Sequence, residues 1–270
     1  WRANAPWVED APVEQDLVIR RALVEMFSHP LLARSLAFRG GTALYKRYLS
    51  PAARYSEDID LVQMEAGPAG AVMDAIQATL NPWLGKPRWK QTRGRVTFRY
   101  SFESDGAPPL KMRLKVEINT REHVAVIGRT RRSFGVRSRW FERTASIPTF
   151  ELDELLATKL RALYQRKKGR DLFDLVVALG DVGSDPQGIV HTFRSYMAAE
   201  NYPITWPNTG KLHDDQRRTM AKRKTLRRSR TSDPKGPLRV VGGPMAARCR
   251  AHSQPSRPST GWQLRSRVVA

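Results

Sequence analysis

The sequence has little that supports disulfide bonding or membrane insertion. Its 270 residues include one cysteine, Cys249, which excludes an internal disulfide and favours a reducing compartment. No apolar run approaches the roughly 20 residues that a membrane-spanning helix needs. The chain starts at Trp1, without an initiator methionine or the basic-then-apolar pattern of a secretory signal. We therefore expect a cytoplasmic protein with no membrane partner, and we interpret the sequence as beginning inside a longer reading frame.

Acidic residues are scarce. The chain has 26 Asp and Glu against 47 Lys and Arg, a net charge of +21, and such an excess is typical of nucleic-acid partners. The excess is uneven, because residues 206–270 hold 16 basic and 3 acidic residues, whereas residues 1–205 hold 31 and 23. Most of the positive charge therefore belongs to the C-terminal tail.

The tail over residues 205–270 is rich in Arg, Ser, Pro and Gly and lacks helical or strand periodicity. Such a composition does not bury enough apolar surface to offset chain entropy. Two interpretations stay open: a basic arm for RNA or DNA, and a disordered or aberrant end without an evolved role. The composition favours the second.

Hydrophobic periodicity predicts strands mainly in the first half of the chain and helices in the second, which is typical of an α+β domain followed by a helical region. We divide the chain into an N-terminal helical segment (1–36), an α/β core (37–148), a helical region (149–204) and the tail (205–270). A proline is expected to end one helix at Asn81, and Thr42 is expected to cap another.

The predicted helices are 12–28, 30–37, 42–49, 69–80, 151–169, 170–182 and 185–200. The predicted strands are 57–63, 86–92, 95–102, 110–120 and, less regularly, 123–128. The basic stretch 129–140 is predicted to be a loop.

Two aspartates stand out in the predicted strand "EDIDLVQ". Side chains two apart share a face of a strand, so Asp58 and Asp60 point one way while Ile59 and Leu61 point into the core. Carboxylates this close repel each other, and a divalent cation that prefers oxygen ligands, such as Mg²⁺, removes the conflict. A solvated polar face on an edge strand is the plainer alternative.

A third acid lies on another predicted strand, "LKVEIN", where Glu117 faces away from the apolar side. If the two strands are neighbours, Glu117 joins the aspartates. An ordinary amphipathic strand explains the pattern equally well.

A glycine pair precedes a predicted helix 17 positions before the first aspartate. Gly40 and Gly41 let backbone N–H groups approach a ligand closely, the following helix offers its positive end to an anion, and Thr42 adds a hydroxyl. A glycine pair before a helix is often a simple turn. Next to a metal-like acid pair, a phosphate cradle is the better interpretation, and the combination is typical of a nucleoside-triphosphate site.

These residues carry a family resemblance. The segment "FRGGTALYKRY…ARYSEDIDLV" resembles the glycine pair and D-x-D signature of the DNA polymerase beta-like nucleotidyltransferase superfamily, and is most similar to its AbiEii/AbiGii toxin branch. The similarity extends to "ELLATKLRALYQRKKGRDLFDL" and covers about residues 20–200. The resemblance implies a polymerase-beta-like nucleotidyltransferase domain with a mixed β-sheet.

The second segment supplies three further candidates. Lys159 is set among the leucines of its helix, where it must snorkel over apolar surface or find a negative partner. Asp171 and Asp174 share a helix face, and Asp171 alternatively pairs with Arg170 or caps its helix. The resemblance implies that Lys159 and these aspartates reach the site, Asp174 directly and Asp171 through a structural pair. The basic cluster formed by Arg166, Lys167, Lys168 and Arg170 either meets polynucleotide phosphates or is a solvated helix end.

The leading hypothesis is a metal-dependent nucleotidyltransferase. Asp58 and Asp60 would hold Mg²⁺ or Mn²⁺ on an NTP, Glu117 would activate the acceptor hydroxyl, and Lys159 would offset charge on the phosphates. The triphosphate oxygens would be cradled by Gly40, Gly41, Thr42 and Ser56.

The resemblance further implies a toxin of a type IV toxin–antitoxin or phage-defence pair, with a neighbouring antitoxin as partner. It implies an RNA acceptor such as the 3′ end of tRNA. Two alternatives stay open: transfer to a small molecule of the aminoglycoside kind, and a non-catalytic nucleic-acid binder that uses the basic stretch 129–143 and the tail.

Overall fold

A computed structural model describes residues 1–2, 5–106, 108–181 and 183–205. No helix in those ranges is long and apolar enough to cross a membrane. In chain order the elements are α1 (Asp10–Ser28), α2 (Pro30–Ser35), β1 (Leu36–Arg39), α3 (Gly40–Arg47), β2 (Asp58–Gln63), α4 (Gly70–Leu84), β3 (Arg88–Thr92), β4 (Arg95–Glu103), β5 (Lys111–Asn119), β6 (Arg129–Arg137), β7 (Glu142–Phe150), α5 (Leu152–Arg166), α6 (Gly169–Asp181) and α7 (Pro186–Ala199).

Within the described residues, seven strands form one sheet in the order β3-β4-β5-β2-β1-β7-β6. β2 pairs with β5, and β1 with β7, in parallel, whereas the remaining neighbours are antiparallel. The mixed sheet with helices confirms the predicted α+β class. The parallel pair β2–β5 joins strands about 50 residues apart in sequence, so it depends on a crossover rather than on a hairpin.

The hydrophobic core lies on one face of the central strands. Ile59 of β2, Val116 of β5 and Phe38 of β1 are fully buried in one cluster with Ile19 and Leu23 of α1. Because side chains alternate along a strand, the residues between them face the opposite side. The core therefore fixes which side chains the sheet presents on its polar face.

The basic stretch 129–140 was predicted as a loop, and this prediction is wrong. Most of it is β6, which pairs with β7 along their whole lengths, and β7 and the short β1 were not predicted. The arginines hid an alternating pattern in which Phe134 and Val136 are buried. Arg132 lies over the ring of Tyr48 at 4.3 Å, a contact in which a cation covers apolar surface. Arginines on both faces therefore masked a strand whose inner face buries Phe134 and Val136.

The segment 123–128 was predicted as a possible strand, and the structure contradicts this as well. Its backbone N–H groups bind a side chain instead of a neighbouring strand: Val126, Ile127 and Gly128 donate to the Glu154 carboxylate at 2.7, 3.0 and 2.9 Å. Tyr196 of α7 also donates its hydroxyl to Glu154. This fully buried carboxylate therefore ties α5, α7 and the segment before β6 together.

We expect Glu154→Gln to lower the free energy of unfolding by about 2 kcal/mol, because charged acceptors make the stronger hydrogen bonds and an amide offers one acceptor oxygen instead of two. Urea unfolding followed by circular dichroism measures the change. Glu65→Gln, at an exposed position, is the matched control and should leave stability unchanged. Equal stability of the two variants would contradict the assigned role.

The α4 helix continues past the predicted stop at Asn81. Pro82 lies in its last turn, and the helix ends at Leu84 before Gly85, which has a φ of 76°. A proline this close to the end removes one hydrogen bond without cutting off a following helix. The positive φ of Gly85, a conformation that favours glycine, is therefore the actual stop signal.

The predicted tail lies outside the described residues beyond residue 205. The expected divisions at residues 36 and 148 stay predictions, although α1 and α2 share the core of the sheet. The three C-terminal helices α5, α6 and α7 occur where a helical region was predicted.

Candidate functional site

The parallel pairing of β2 with β5 brings three carboxylates to the polar face of the sheet. In this register Asp60 lies opposite Glu117, and Asp58 lies opposite Lys115. The intervening Ile59 is fully buried, so the two aspartates share the other face as predicted. The condition for Glu117 to join them, that its strand is a neighbour, is met.

The three carboxylates repel one another. Burial raises the pKa of Asp60 above its usual value, and the charges of Asp58 and Glu117 raise it further. Lys115 Nζ lies 2.8 Å from Asp58 Oδ2 and 3.6 Å from Glu117 Oε2, and Arg95 Nε lies 3.2 Å from Glu117 Oε1. Lys115 thus supplies positive charge next to two of the three carboxylates. Sequence reasoning missed Lys115, because its partner becomes visible only with the strand register.

The donor set suits a hard divalent cation, since it consists of carboxylate oxygens around a destabilised aspartate. In the described part of the chain, no group of three or more His, Cys, Asp or Glu side chains is arranged to hold a metal ion by itself. Mg²⁺ is usually bound by one or two carboxylates together with substrate phosphates. Asp58 and Asp60 therefore fit a metal that phosphate oxygens help to hold.

The glycine pair lies directly against these acids. Gly40 has a φ of 81°, and a Cβ at this position would lie 2.2 Å from Asp60 Oδ2. A Cβ on Gly41 would lie 2.7 Å from an Arg54 guanidinium nitrogen and 3.4 Å from Lys159 Nζ. Gly40 is required by its positive φ and by its close approach to Asp60, whereas a side chain at position 41 would have to displace the Arg54 guanidinium. Helix α3 thus begins between the carboxylates and two cations.

Thr42 does not cap the helix, which corrects the sequence prediction. The helix begins two residues earlier, at Gly40, and the buried Thr42 hydroxyl donates to the Asp58 carbonyl. The Ser56 hydroxyl lies 2.7 Å from the same Thr42 oxygen. Because the Thr42 proton is already in the bond to Asp58, Ser56 is the donor of this second hydrogen bond. These bonds fix α3 against β2 and hold Ser56 beside the glycines.

Two cations next to Gly41 converge on Asp174. Arg54 donates to both carboxylate oxygens, at 2.5 and 2.7 Å, Lys159 Nζ lies 2.9 Å away and the Tyr45 hydroxyl donates at 2.8 Å. Burial alone would raise the pKa of Asp174, but hydrogen bonds and charges from Arg54, Lys159 and Tyr45 lower it below its usual value. Of the two alternatives for Lys159, snorkelling over apolar surface or a negative partner, the structure shows the second.

Asp171 is a weaker partner of the same lysine. Its Oδ1 lies 3.3 Å from Lys159 Nζ and its Oδ2 lies 3.6 Å from Arg166, so the alternative partner Arg170 is not used. Asp171 and Asp174 are both fully buried and contact cations rather than open space. This geometry favours a positioning role for both; the direct role expected for Asp174 stays a prediction.

Arg54 was missed by sequence reasoning although it stands inside the quoted segment "ARYSEDIDLV". Its partner Asp174 lies 120 positions later, and no local pattern connects them.

A cavity of about 240 Å³ opens beside Arg54, Thr42 and Ser56, with Trp7 and Tyr45 in its wall. The carboxylates of β2 and β5 and the glycine pair do not line this cavity. The site itself combines acids, a glycine-lined helix start and tethered cations, which is an arrangement suited to binding a metal–polyphosphate.

Comparison with known proteins agrees with this chemistry. A family profile described as the nucleotidyl transferase AbiEii toxin of a type IV toxin–antitoxin system matches residues 21–239. Comparison with curated protein sequences gives no match.

One solved structure shows the same fold, and two others give weaker similarities. MenT4, a nucleotidyltransferase toxin from Mycobacterium tuberculosis, is 18% identical with a TM-score of 0.50 over 67% of this chain and 63% of its own. JHP933 from Helicobacter pylori is 18% identical with a TM-score of 0.46 over 65% of this chain and 68% of its own. A nucleotidyltransferase-like antigenic protein from Paracoccidioides brasiliensis is 15% identical with a TM-score of 0.42 over 67% and 88%.

Proposed function

Because the chain belongs to the AbiEii family of nucleotidyltransferase toxins, we propose that it transfers a nucleoside monophosphate from an NTP to an RNA acceptor such as the 3′ end of tRNA. The observation that carries the proposal is the register of β2 and β5, in which Asp60 and Glu117 lie opposite each other. Gly40, with its close approach to Asp60, joins the phosphate-binding side to the acids.

In the proposed reaction the acceptor hydroxyl oxygen attacks the α-phosphorus of the NTP. A new P–O bond forms, the bond from the α-phosphorus to the bridging oxygen breaks, and pyrophosphate leaves. Glu117 accepts the hydroxyl proton, directly or through water. Catalysis of this kind is mainly positioning and charge stabilisation.

A Mg²⁺ or Mn²⁺ ion held by Asp58 and Asp60 would neutralise charge on the phosphates and orient them. Gly40 and Gly41 offer backbone N–H groups at the start of α3, and Ser56 would turn its hydroxyl proton from Thr42 to a phosphate oxygen. Lys159 and Arg54 are held by Asp174 with their charge next to Gly41, where they would stabilise the leaving pyrophosphate. Because each cation already has a fixed partner, little reorganisation is needed when charge develops.

In the cell, the proposed role is that of the toxin in a type IV toxin–antitoxin or phage-defence pair. It would act on cytoplasmic RNA and be opposed by a neighbouring antitoxin.

We expect purified protein to transfer label from at least one of the four α-labelled NTPs to bulk RNA, and we expect EDTA to abolish the transfer. Gel electrophoresis after nuclease digestion identifies the labelled RNA and the modified end. Parallel reactions with aminoglycosides test small-molecule acceptors. Label on an aminoglycoside and none on RNA would overturn the proposed acceptor.

A further inference from the structure

A row of three cations crosses the polar face of the sheet and ends at the acids. Arg88 of β3 lies opposite Arg99 of β4, and Arg99 lies opposite Lys115 of β5. Lys115 in turn lies opposite Asp58. Residues directly opposite each other share a face of the sheet, so Arg88, Arg99 and Lys115 form a continuous line, which we call the cation row.

The cation row costs stability in the protein alone, because like charges directly opposite each other on neighbouring strands repel. Lys115 is compensated by Asp58 and Glu117. Arg88 and Arg99 are exposed, and neither forms an ion pair within the described residues. Further cations on the same face are Lys90, Arg95 and Arg113. A stripe of unneutralised positive charge is thus retained beside the acids.

The direction of the row separates it from the phosphate cradle. In the sheet order β3-β4-β5-β2-β1, Gly40 and Gly41 follow β1 on one side of the acids, and the cation row extends from the acids to the other side.

The length of the cation row suits a nucleic-acid strand. Neighbouring strands lie about 4.8 Å apart, so the row is about 10 Å long. One strand of a nucleic-acid helix carries a phosphate about every 3.4 Å along its axis. The row is therefore long enough to contact at least two consecutive phosphates.

We infer that the cation row binds the sugar–phosphate backbone of the RNA acceptor and guides its 3′-terminal hydroxyl to Asp58, Asp60 and Glu117. This inference rests on the proposed function, since it concerns the second substrate of the same site. Arginine suits the task, because its planar guanidinium binds phosphate through two parallel hydrogen bonds. An NTP at the glycines would leave Arg88 and Arg99 unused.

The test is the double variant Arg88→Gln/Arg99→Gln, which removes two charges at nearly constant volume. We expect the KM for RNA to rise about tenfold or more, while the KM for the NTP stays unchanged. The dissociation constant of fluorescein-labelled oligouridylate, measured by anisotropy, should rise in parallel. The slope of its logarithm against log salt should become shallower by about 1.4, or about 0.7 for each lost phosphate contact. The melting temperature should stay the same or rise, because repulsion within the row is removed.

Arg34→Gln/Arg194→Gln is the matched control, with the same charge change at two exposed positions in α2 and α7. We expect it to retain the wild-type KM for RNA and the wild-type salt slope. Equal effects of the two double variants would assign the binding to net charge alone and overturn the inference.

Three other results would also overturn it: an unchanged KM for RNA, a raised KM for the NTP, or binding of a polyglutamate peptide in place of oligouridylate.

The anisotropy measurement does not depend on catalysis, so it separates failure of the inference from failure of the proposed reaction. If wild-type protein binds oligouridylate through Arg88 and Arg99 but labels no RNA, the row is supported and the proposed reaction fails. If it labels RNA equally well with and without these arginines, the reaction stands and the row fails.

Discussion

Asp60→Asn is expected to lower the rate of nucleotidyl transfer by about 10³-fold while making the protein more stable, because charge stabilisation is the main catalytic contribution in such sites. Asn keeps the shape of the side chain but removes a charge that burial, Asp58 and Glu117 all disfavour. Activity and stability should therefore change in opposite directions. Label transfer to RNA, together with the melting temperature of the same preparation, checks both parts.

The stability gain should depend on pH in a defined direction. A raised pKa means that folded Asp60 holds its proton more tightly than the unfolded chain does, so wild-type stability falls as pH rises through the raised value. In metal-free protein, the advantage of Asp60→Asn should be full above that value. It should vanish below the ordinary aspartate pKa of about 3.9.

Two further variants delimit this prediction. Asp58→Asn should lose transfer equally but gain no stability, since it also removes the partner of Lys115. Glu57→Gln, at an exposed neighbouring carboxylate, should keep transfer and any growth arrest on expression. Full activity of Asp60→Asn or Asp58→Asn would refute the acid site.

Asp174→Ala is expected to lower the free energy of unfolding by about 3–5 kcal/mol, because it leaves buried cations without their counter-charge. Arg54, Lys159 and the Tyr45 hydroxyl all lose an acceptor that is itself fully buried. Urea unfolding measures this loss. Where folded protein remains, the KM for the NTP should rise, because Arg54 and Lys159 no longer hold their charge beside Gly41.

Asp171→Asn is the comparison for this prediction. It contacts Lys159 more distantly and leaves the pair of Arg54 with Asp174 intact, so its cost should be clearly smaller. A double-mutant cycle of Arg54→Met with Asp174→Asn should give a coupling energy within the range of about 0.5–3 kcal/mol that is found for contacting pairs. Additive effects, or equal costs for Asp171→Asn and Asp174→Ala, would contradict the assigned network.

Much of the site could be predicted because its parts are local in sequence. The two-residue period of a strand puts Asp58 and Asp60 on one face. The glycine pair predicts that the backbone at the start of α3 approaches another group closely. Lys159 among leucines has to snorkel over apolar surface or find a negative partner. Each of these inferences depends on neighbours within a few positions, where backbone geometry alone decides the outcome.

Where local signals conflicted, sequence reasoning failed. In β6 the arginines outweighed the alternation of Phe134 and Val136, although these two buried residues are what holds the strand on the core. The segment 123–128 has a strand-like composition, yet the Glu154 carboxylate takes three of its N–H groups. Burial in the tertiary structure overrode composition in the first case, and a long-range hydrogen-bond partner overrode it in the second.

By itself, the sequence determined which side chains alternate, where glycine is needed and to which family the motifs belong, because period and backbone freedom are properties of short segments. Only the tertiary structure decided that β5 lies beside β2 in the register that pairs Asp60 with Glu117 and Asp58 with Lys115. It alone also brought Arg54 to Asp174 across 120 positions. The physical reason is that strand order and register are set by burial of the whole apolar face, to which residues distant in the chain contribute together.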